Sequence, residues 1–379
     1  MLRWLLGLGA TLVLASCART PSAVTFHAQG NPQSLADWGL FDVKGGRIEP
    51  RAGLVTYELA TPLFSDYAQK WRAVFVPNGA SARYDRVATF DFPVGTIIAK
   101  TFYYSTPAGA VPGSSTRVLK VTPATYQTGV AGLDLREARL IETRLLVRRA
   151  SGWEALPYVW NAEQTEATLQ RTGTEIPLDF DDGGKVTRFT YTVPNVNQCA
   201  GCHATDRTKQ LFPIGLKARH LNRDFPGIGG DINEITRLTQ IGYLSGAPAP
   251  GSAPRDARFD DLRASIDARA RAYLDVNCAH CHSATGPARV SGLWLDSPTI
   301  DLRKLGACKP PIAAGRGTGN RRYGIVPGHP ERSILAYRLE TNDPGAMMPE
   351  TGRSLTHAEG VALIKQWIAG LKGACDAGV

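Results

Sequence analysis

From about Ser34 to Pro194 apolar and polar residues alternate with the period of a β-strand. In the stretch from Arg139, Ile141, Thr143, Leu145 and Val147 fall on one face, and Glu142, Arg144 and Arg148 fall on the other. Ser151-Gly152 then turns the chain, and Trp153 to Trp160 reads as the partner strand. Trp71 to Val76 and Phe90 to Tyr104 are rich in aromatic and β-branched residues. Asp181-Asp182-Gly183-Gly184 reads as a hairpin turn into Val186 to Val193, where Phe189, Tyr191 and Val193 share a face. The pattern allows helix only as a turn around Glu163 to Leu169. These elements predict a β-sandwich-like domain over 34–224.

Past residue 259 the period lengthens to three and four. Leu262, Ile266, Ala270, Tyr273 and Val276 form one helical stripe, and Val361, Ile364, Trp367, Ile368 and Leu371 form another. Thr356-His357-Ala358-Glu359 has the form of a capping box ahead of the second stripe. The connector, 225–258, opens on Gly227, Gly229 and Gly230 and closes on the Pro/Gly/Ser run from Ser245 to Pro254, which reads as a domain boundary. Ile232 to Leu244 is expected to be a helix between the domains. The expected fold class is α+β and multidomain, with an all-α domain over 259–379.

The N-terminus changes this picture by setting a compartment. Met1-Leu2-Arg3 is a short positive region, and Trp4 to Leu14 is apolar but too short to span a bilayer. Leu14-Ala15-Ser16-Cys17 resembles the bacterial lipobox, in which the cysteine is acylated and becomes the mature N-terminus. The resemblance implies export and lipid anchoring through Cys17, on a membrane facing the periplasm, the outer one if the cell has two. An ordinary signal peptidase site between Ala15 and Ala18 is the other reading. Residues 18–33 are then a polar tether, with His27 in solvent.

Charge narrows the partners. The chain carries 43 Lys+Arg against 34 Asp+Glu. No basic run is interleaved with aromatics, which argues against nucleic acid. There is no catalytic triad, nucleotide fingerprint or metal-hydrolase motif. Gly315-Arg316-Gly317-Thr318-Gly319 lacks the lysine and the strand-helix setting of a phosphate loop.

The chemistry lies in two Cys-x-x-Cys-His segments, Cys199-Ala200-Gly201-Cys202-His203 and Cys278-Ala279-His280-Cys281-His282. Cysteines at i and i+3 on a helical turn lie about 5–6 Å apart on one face. Both sulfurs can then bond the two vinyl groups of one haem, and the next histidine is placed to ligate the iron. This is the c-type haem attachment signature. Zinc is the rival occupant of Cys-x-x-Cys pairs, though it does not call for a histidine directly after the second cysteine. Two covalent haem c groups are expected, held by Cys199, Cys202, Cys278 and Cys281, with His203 and His282 as iron ligands. Their propionates would offset part of the positive charge through Arg and Lys, with Arg316, Arg321 and Arg322 as candidates near a haem edge. His280, between two cysteines, is expected to face away from its own iron.

A helix entering the second motif and a final amphipathic helix resemble a class I cytochrome c. That resemblance implies a methionine as sixth ligand, and Met347-Met348-Pro349 supplies it 66 residues after His282. Met348, directly before proline, fits the family best, with Met347 as fallback. The β-rich domain ending in the first motif resembles the cytochrome c′-beta group and its lysine-cross-linked relatives that oxidise hydroxylamine, through Phe92-Pro93-Val94-Gly95-Thr96-Ile97-Ile98-Ala99-Lys100. It implies an open distal face at the first haem, with Lys100 near it; the alternative is an exposed edge lysine. His220, the only free histidine in the twenty residues after the motif, is a candidate sixth ligand there. His357 is better explained by the start of its helix, and His329 by a loop.

Seven cysteines, less Cys17 and the four of the motifs, leave Cys308 and Cys375. In an oxidising compartment that pair reads as a disulfide. The expected function is a membrane-anchored di-haem cytochrome carrying electrons between redox-protein donor and acceptor. Two alternatives keep the first haem open. One is a haem enzyme of peroxidase or nitrogen-oxide and hydroxylamine type, though bacterial two-haem peroxidases are helical in both domains. The other is a sensor of small gases.

Overall fold

The alternating stretches of the N-terminal half pair into one large curled sheet, and a three-stranded sheet of Phe41–Lys44, Arg47–Pro50 and Leu133–Asp134 shares the core on one side of it. The computed structural model describes residues 24–111, 113–121, 131–227, 230–313 and 315–375. Cys17, the leader and the first part of the expected tether lie outside the described residues.

The large sheet has nine strands, β1 (Val55–Tyr57), β2 (Gln69–Phe75), β3 (Ile97–Ser105), β4 (Arg117–Leu119), β5 (Ala138–Arg149), β6 (Gly152–Trp160), β7 (Ala167–Leu169), β8 (Thr174–Asp182) and β9 (Lys185–Val193). Their order is β7-β6-β5-β3-β4-β8-β9, with β2 also on β3 and β1 on β2. Only the β4–β8 pair is parallel. The two expected hairpins are present, Arg149 opposite Gly152 and Asp182 opposite Lys185, and Gly183 and Gly184 take the positive φ of the second turn. Around Glu163 the chain makes a turn and then the short strand β7.

One expected face is wrong by a single residue. Phe102 pairs with Glu142, but Tyr103 pairs with Leu140, so Ile141 is an extra residue in β5. A bulge of this kind reverses the alternation beyond it. Leu140, Leu145 and Val147 pack with Trp38, Ile97, Leu156 and Tyr158 on one side of the sheet. Ile141 instead joins Phe102, Tyr104, Phe189 and Tyr191 on the other. Residues 24–33 are also no free tether: Val24 and Phe26 pack on the first core, Arg149 donates to Asn31 at 2.9 Å, and the half-buried His27 meets the Trp38 ring edge-on at 4.9 Å.

After the first motif come α2 (Ala218–Leu221) and α3 (Glu234–Gln240), the first motif itself being on α1 (Val196–His203). The expected helix from Ile232 to Leu244 is thus shorter, capped by Asn233, and ends in a strand, Leu244–Ser245, paired with Ala82–Arg83. The Pro/Gly/Ser run that follows is strapped to its surroundings, since the Asn222 amide donates to Pro250 O at 2.8 Å and Ala253 O at 3.0 Å. From residue 246 onward the described residues hold helices and isolated bridges without a strand: α4 (Ile266–Leu274), α5 (Ile334–Glu340) and α6 (Ala358–Gly370). The chain is therefore mixed, with sheet and helix segregated along the sequence. Helix α4 begins at Ile266, where the Ser265 hydroxyl accepts the Ala268 N–H, and Leu262 is 81% exposed.

The capping box expected at α6 does not form. Thr356 instead donates to Glu340 O, and the Ala358 N–H donates at 3.1 Å to the Tyr67 hydroxyl of the sheet half. Beside it, both Ser354 N–H and Leu355 N–H donate to Asp66 Oδ1 at 2.7 Å. Asp66 and Tyr67 reach these positions through left-handed backbone, φ 49° and 61°. That conformation costs a non-glycine residue about 1–2 kcal/mol, which the bonds to α6 and its approach offset.

Two predictions follow from this half-to-half contact and from the tail. Burial, opposed by the two N–H donors, pushes the Asp66 carboxyl from 3.8 to about 6. The folded state therefore holds this proton more tightly than the unfolded chain, and stability falls as pH rises from about 4 through 6. At about 1.4 kcal/mol per pH unit the loss is about 3 kcal/mol. Asp66→Asn keeps the acceptor oxygen and is expected to flatten that dependence in urea titrations, gaining at pH 8 and not at pH 3.5. The expected disulfide, Cys308–Cys375, is present with a Cα separation of 5.1 Å and closes 67 residues. Replacing both by serine is expected to lower unfolding free energy by about 2–5 kcal/mol, read as a lower urea midpoint.

Candidate functional site

Both motifs are set on helical turns by local chemistry. Pro194 ends β9's run, and Asn195 and Gln198 form a reciprocal capping box that starts α1, each bond 2.9 Å. Cys199 and Cys202 lie on α1 and His203 is its last residue. In the second motif α4 runs on through a wider turn over Asp275–Ala279, and the His282 N–H donates to Cys278 O at 2.8 Å.

The two histidines are oriented alike. His203 Nδ1 lies 2.8 Å from Phe212 O, which can only accept, so Nδ1 carries the proton. His282 Nδ1 lies 3.0 Å from Ser291 Oγ, whose own proton goes to Ala288 O at 2.7 Å. That hydroxyl therefore accepts as well. In both rings Nε2 is left as a lone-pair donor, the arrangement a ligating histidine requires. Burial, with nearby positive charge, pushes both rings down to about 4, so both are neutral at pH 7.

The motifs meet. Cys281 Sγ lies 3.5 Å from Gly201 O, and Cys202 Sγ, a His280 ring nitrogen and Cys281 Sγ lie within 4.8 Å of one another. A hydrogen bond between the two thiols drives Cys202 down and Cys281 up. His280, 6% exposed, points toward the first motif and has no hydrogen-bond partner at Nδ1.

Beside the first motif is a cavity of about 1260 Å³, counting its open mouth. Cys199, Cys202 and His203 line it on one side, and Arg72, Lys100, Phe102 and Arg144 of the sheet line it on another. His280 and Asn277 contribute from the second motif, and Pro349, Thr351 and Gly352 from the loop after Met348. Arg144 lies 4.3 Å and Lys100 5.2 Å from the Phe102 ring centre. Arg144 is paired with the fully buried Glu142, which also accepts from the Tyr191 hydroxyl at 2.7 Å. Among the described residues Arg72 and Lys100 form no ion pair with a carboxylate. Burial, then Arg144 and Arg72, push the Lys100 ammonium down to about 7. The wall has surplus positive charge, which suits an anionic group.

The other expected residues are placed as follows. Met347 is buried and Met348 half-buried in the loop between α5 and α6, and Met348 N–H donates to Arg338 O at 2.8 Å. The charge of Glu350, two residues after Met348, reaches Cys281, which sets this part of the loop near the second motif. His220 is brought elsewhere: its ring lies between Asp256 and Asp275 and does not line the cavity that His203 faces. Arg316 pairs with Asp343, Arg321 covers Tyr337 and Arg322 covers Tyr323. His329 is exposed beside Glu331.

Sequence reasoning missed His280, Arg72 and the inward role of Glu142 and Arg144. The alternation in β5 marked the last two as the face opposite the core, and that face looks into the cavity rather than solvent. Comparison with protein-family models, curated proteins and solved structures finds no match for the chain.

Among the described residues the motif side chains that gather are Cys202, His280 and Cys281, and Cys199 and Cys278 stand outside that group. The neutral, Nδ1-tethered histidines, four thiols outside any disulfide and the cationic cavity match a ligated iron and propionates.

Proposed function

We propose that the chain is an exported di-haem c-type cytochrome, lipid-anchored through Cys17, that passes electrons between redox-protein partners. The first haem is attached through Cys199 and Cys202 with His203 on its iron. Cys278 and Cys281 would hold the second, with His282 and Met348 as the residues that would ligate its iron in a helical, class I-like domain. The observation that carries this reading is the contact of the two motifs at Cys202, His280 and Cys281. Attachment points that touch bring two redox groups edge to edge, the arrangement a relay needs.

Each haem supplies an iron that takes up and returns one electron. The chain's own residues fix the rings, through Phe212 O and Ser291, and keep them neutral by burial. Arg72, with the protonated fraction of Lys100, would supply positive charge for the first haem's propionates. Ligation by His282 and Met348 would raise the potential of that haem and leave no position on its iron for substrate.

A second reading, a haem enzyme acting on a small anionic or nitrogen-oxide substrate, is favoured by the cavity. In the relay reading Lys100 or His280, which line that cavity, would close the first iron, and in the enzyme reading the position would stay open. The optical spectrum of the dithionite-reduced protein with and without carbon monoxide separates the two. The relay predicts no change, whereas a shift in about half the haem would favour the enzyme. Met348→Ala is expected to abolish the sulfur-to-iron band of the oxidised spectrum and open the second iron to carbon monoxide. Retention of that band would remove Met348 as a ligand.

A further inference from the structure

Between the motifs lies a buried cluster that the electron-transfer reading does not use. His220, on α2, is 3% exposed; Asp256 precedes α4, and Asp275 opens the turn into the second motif with its carboxylate fully buried. His220 Nε2 lies 3.6 Å from Asp256 Oδ2 and 3.5 Å from Asp275 Oδ1. Neither ring nitrogen of His220 has a hydrogen-bond partner, and neither does Asp256 Oδ2, although all three atoms are buried. The remaining carboxylate atoms are well supplied. Asp256 Oδ1 accepts from the Ser297 hydroxyl at 2.8 Å. Asp275 Oδ2 accepts from Arg219 and from the Ser297 N–H, while Asp275 Oδ1 accepts the other arm of the Arg219 fork at 3.0 Å and Asp256 Oδ2 lies 3.8 Å from Arg219 Nε.

Arg219 and Lys217 lie near three carboxylates, Asp256, Asp275 and Asp296, so acidic groups outnumber basic ones and a bound cation would offset the difference. Two donors bound tetrahedrally to one ion at about 2.0–2.2 Å stand about 3.4 Å apart, close to the observed 3.5 and 3.6 Å.

We propose that His220 Nε2, Asp256 Oδ2 and Asp275 Oδ1 bind a divalent first-row cation of zinc type. One imidazole and two carboxylates suit that class. The ion ties α2, which follows the first motif, to the segment and turn that lead into the second. Its role is structural, holding the two motifs in register, and it does not depend on what the motifs bind.

The test is metal analysis of the full-length protein carrying its own cofactors, with iron counted separately. The unaltered protein is expected to hold about one equivalent of a non-iron divalent ion. Asp256→Asn is expected to lose at least nine-tenths of it, and the exposed Asp231→Asn to keep it. If Asp256→Asn does not fold, the unaltered protein is stripped with a chelator and titrated with Zn²⁺, which is expected to raise Tm by several degrees through binding to the folded state. No non-iron ion in the unaltered protein together with no Tm response to Zn²⁺ would overturn the site. The visible spectrum reports the haem reading independently.

Discussion

The two halves of this chain are joined by contacts that are polar where they are most buried, and the placement of both motifs depends on that seam. Arg219, behind the first motif, forks onto the fully buried Asp275 at the entrance to the second. Asn277, two residues on, accepts the Phe64 N–H at 2.8 Å. Asp66 and Tyr67 reach from the sheet to the approach of α6. Apolar surfaces tolerate sliding, but buried charges do not, because breaking such a pair leaves an unpaired ion at a cost of about 3–5 kcal/mol. The seam thereby fixes Cys202 against Cys281 instead of leaving two domains on a linker.

Local patterns made much of the fold legible. The β5–β6 and β8–β9 hairpins were readable because their turn residues and alternation agree. Helices α4 and α6 and the Cys308–Cys375 bond were readable from periodicity and from cysteine arithmetic. The misreadings arise where a distant partner decides. Ile141 changes face because a bulge is a property of two strands. Thr356 and Glu359 have the letters of a capping box, yet each finds a better partner across the fold, and Tyr67 caps the helix instead. His220 is near His203 in sequence, but Asp256 and Asp275 hold it away.

The candidate site was legible in its cysteines and histidines and not in its walls. Nothing local marks Arg72 and Arg144 as lining one cavity with Lys100, because the three come from three strands and share it only once the sheet curls. The same curl turns the cation-bearing face of β5 inward. A side chain that is polar on a strand's second face is read as solvated unless something covers it, and here the first motif does.

The central claim is that four cysteines carry two covalent haems. It is tested most directly by the intact mass of the full-length protein, produced with haem c maturation, denatured and measured. The account predicts the polypeptide plus two haems, with the additions mapping to the peptides containing Cys199–His203 and Cys278–His282. A bare polypeptide mass, with zinc released on denaturation, would contradict it.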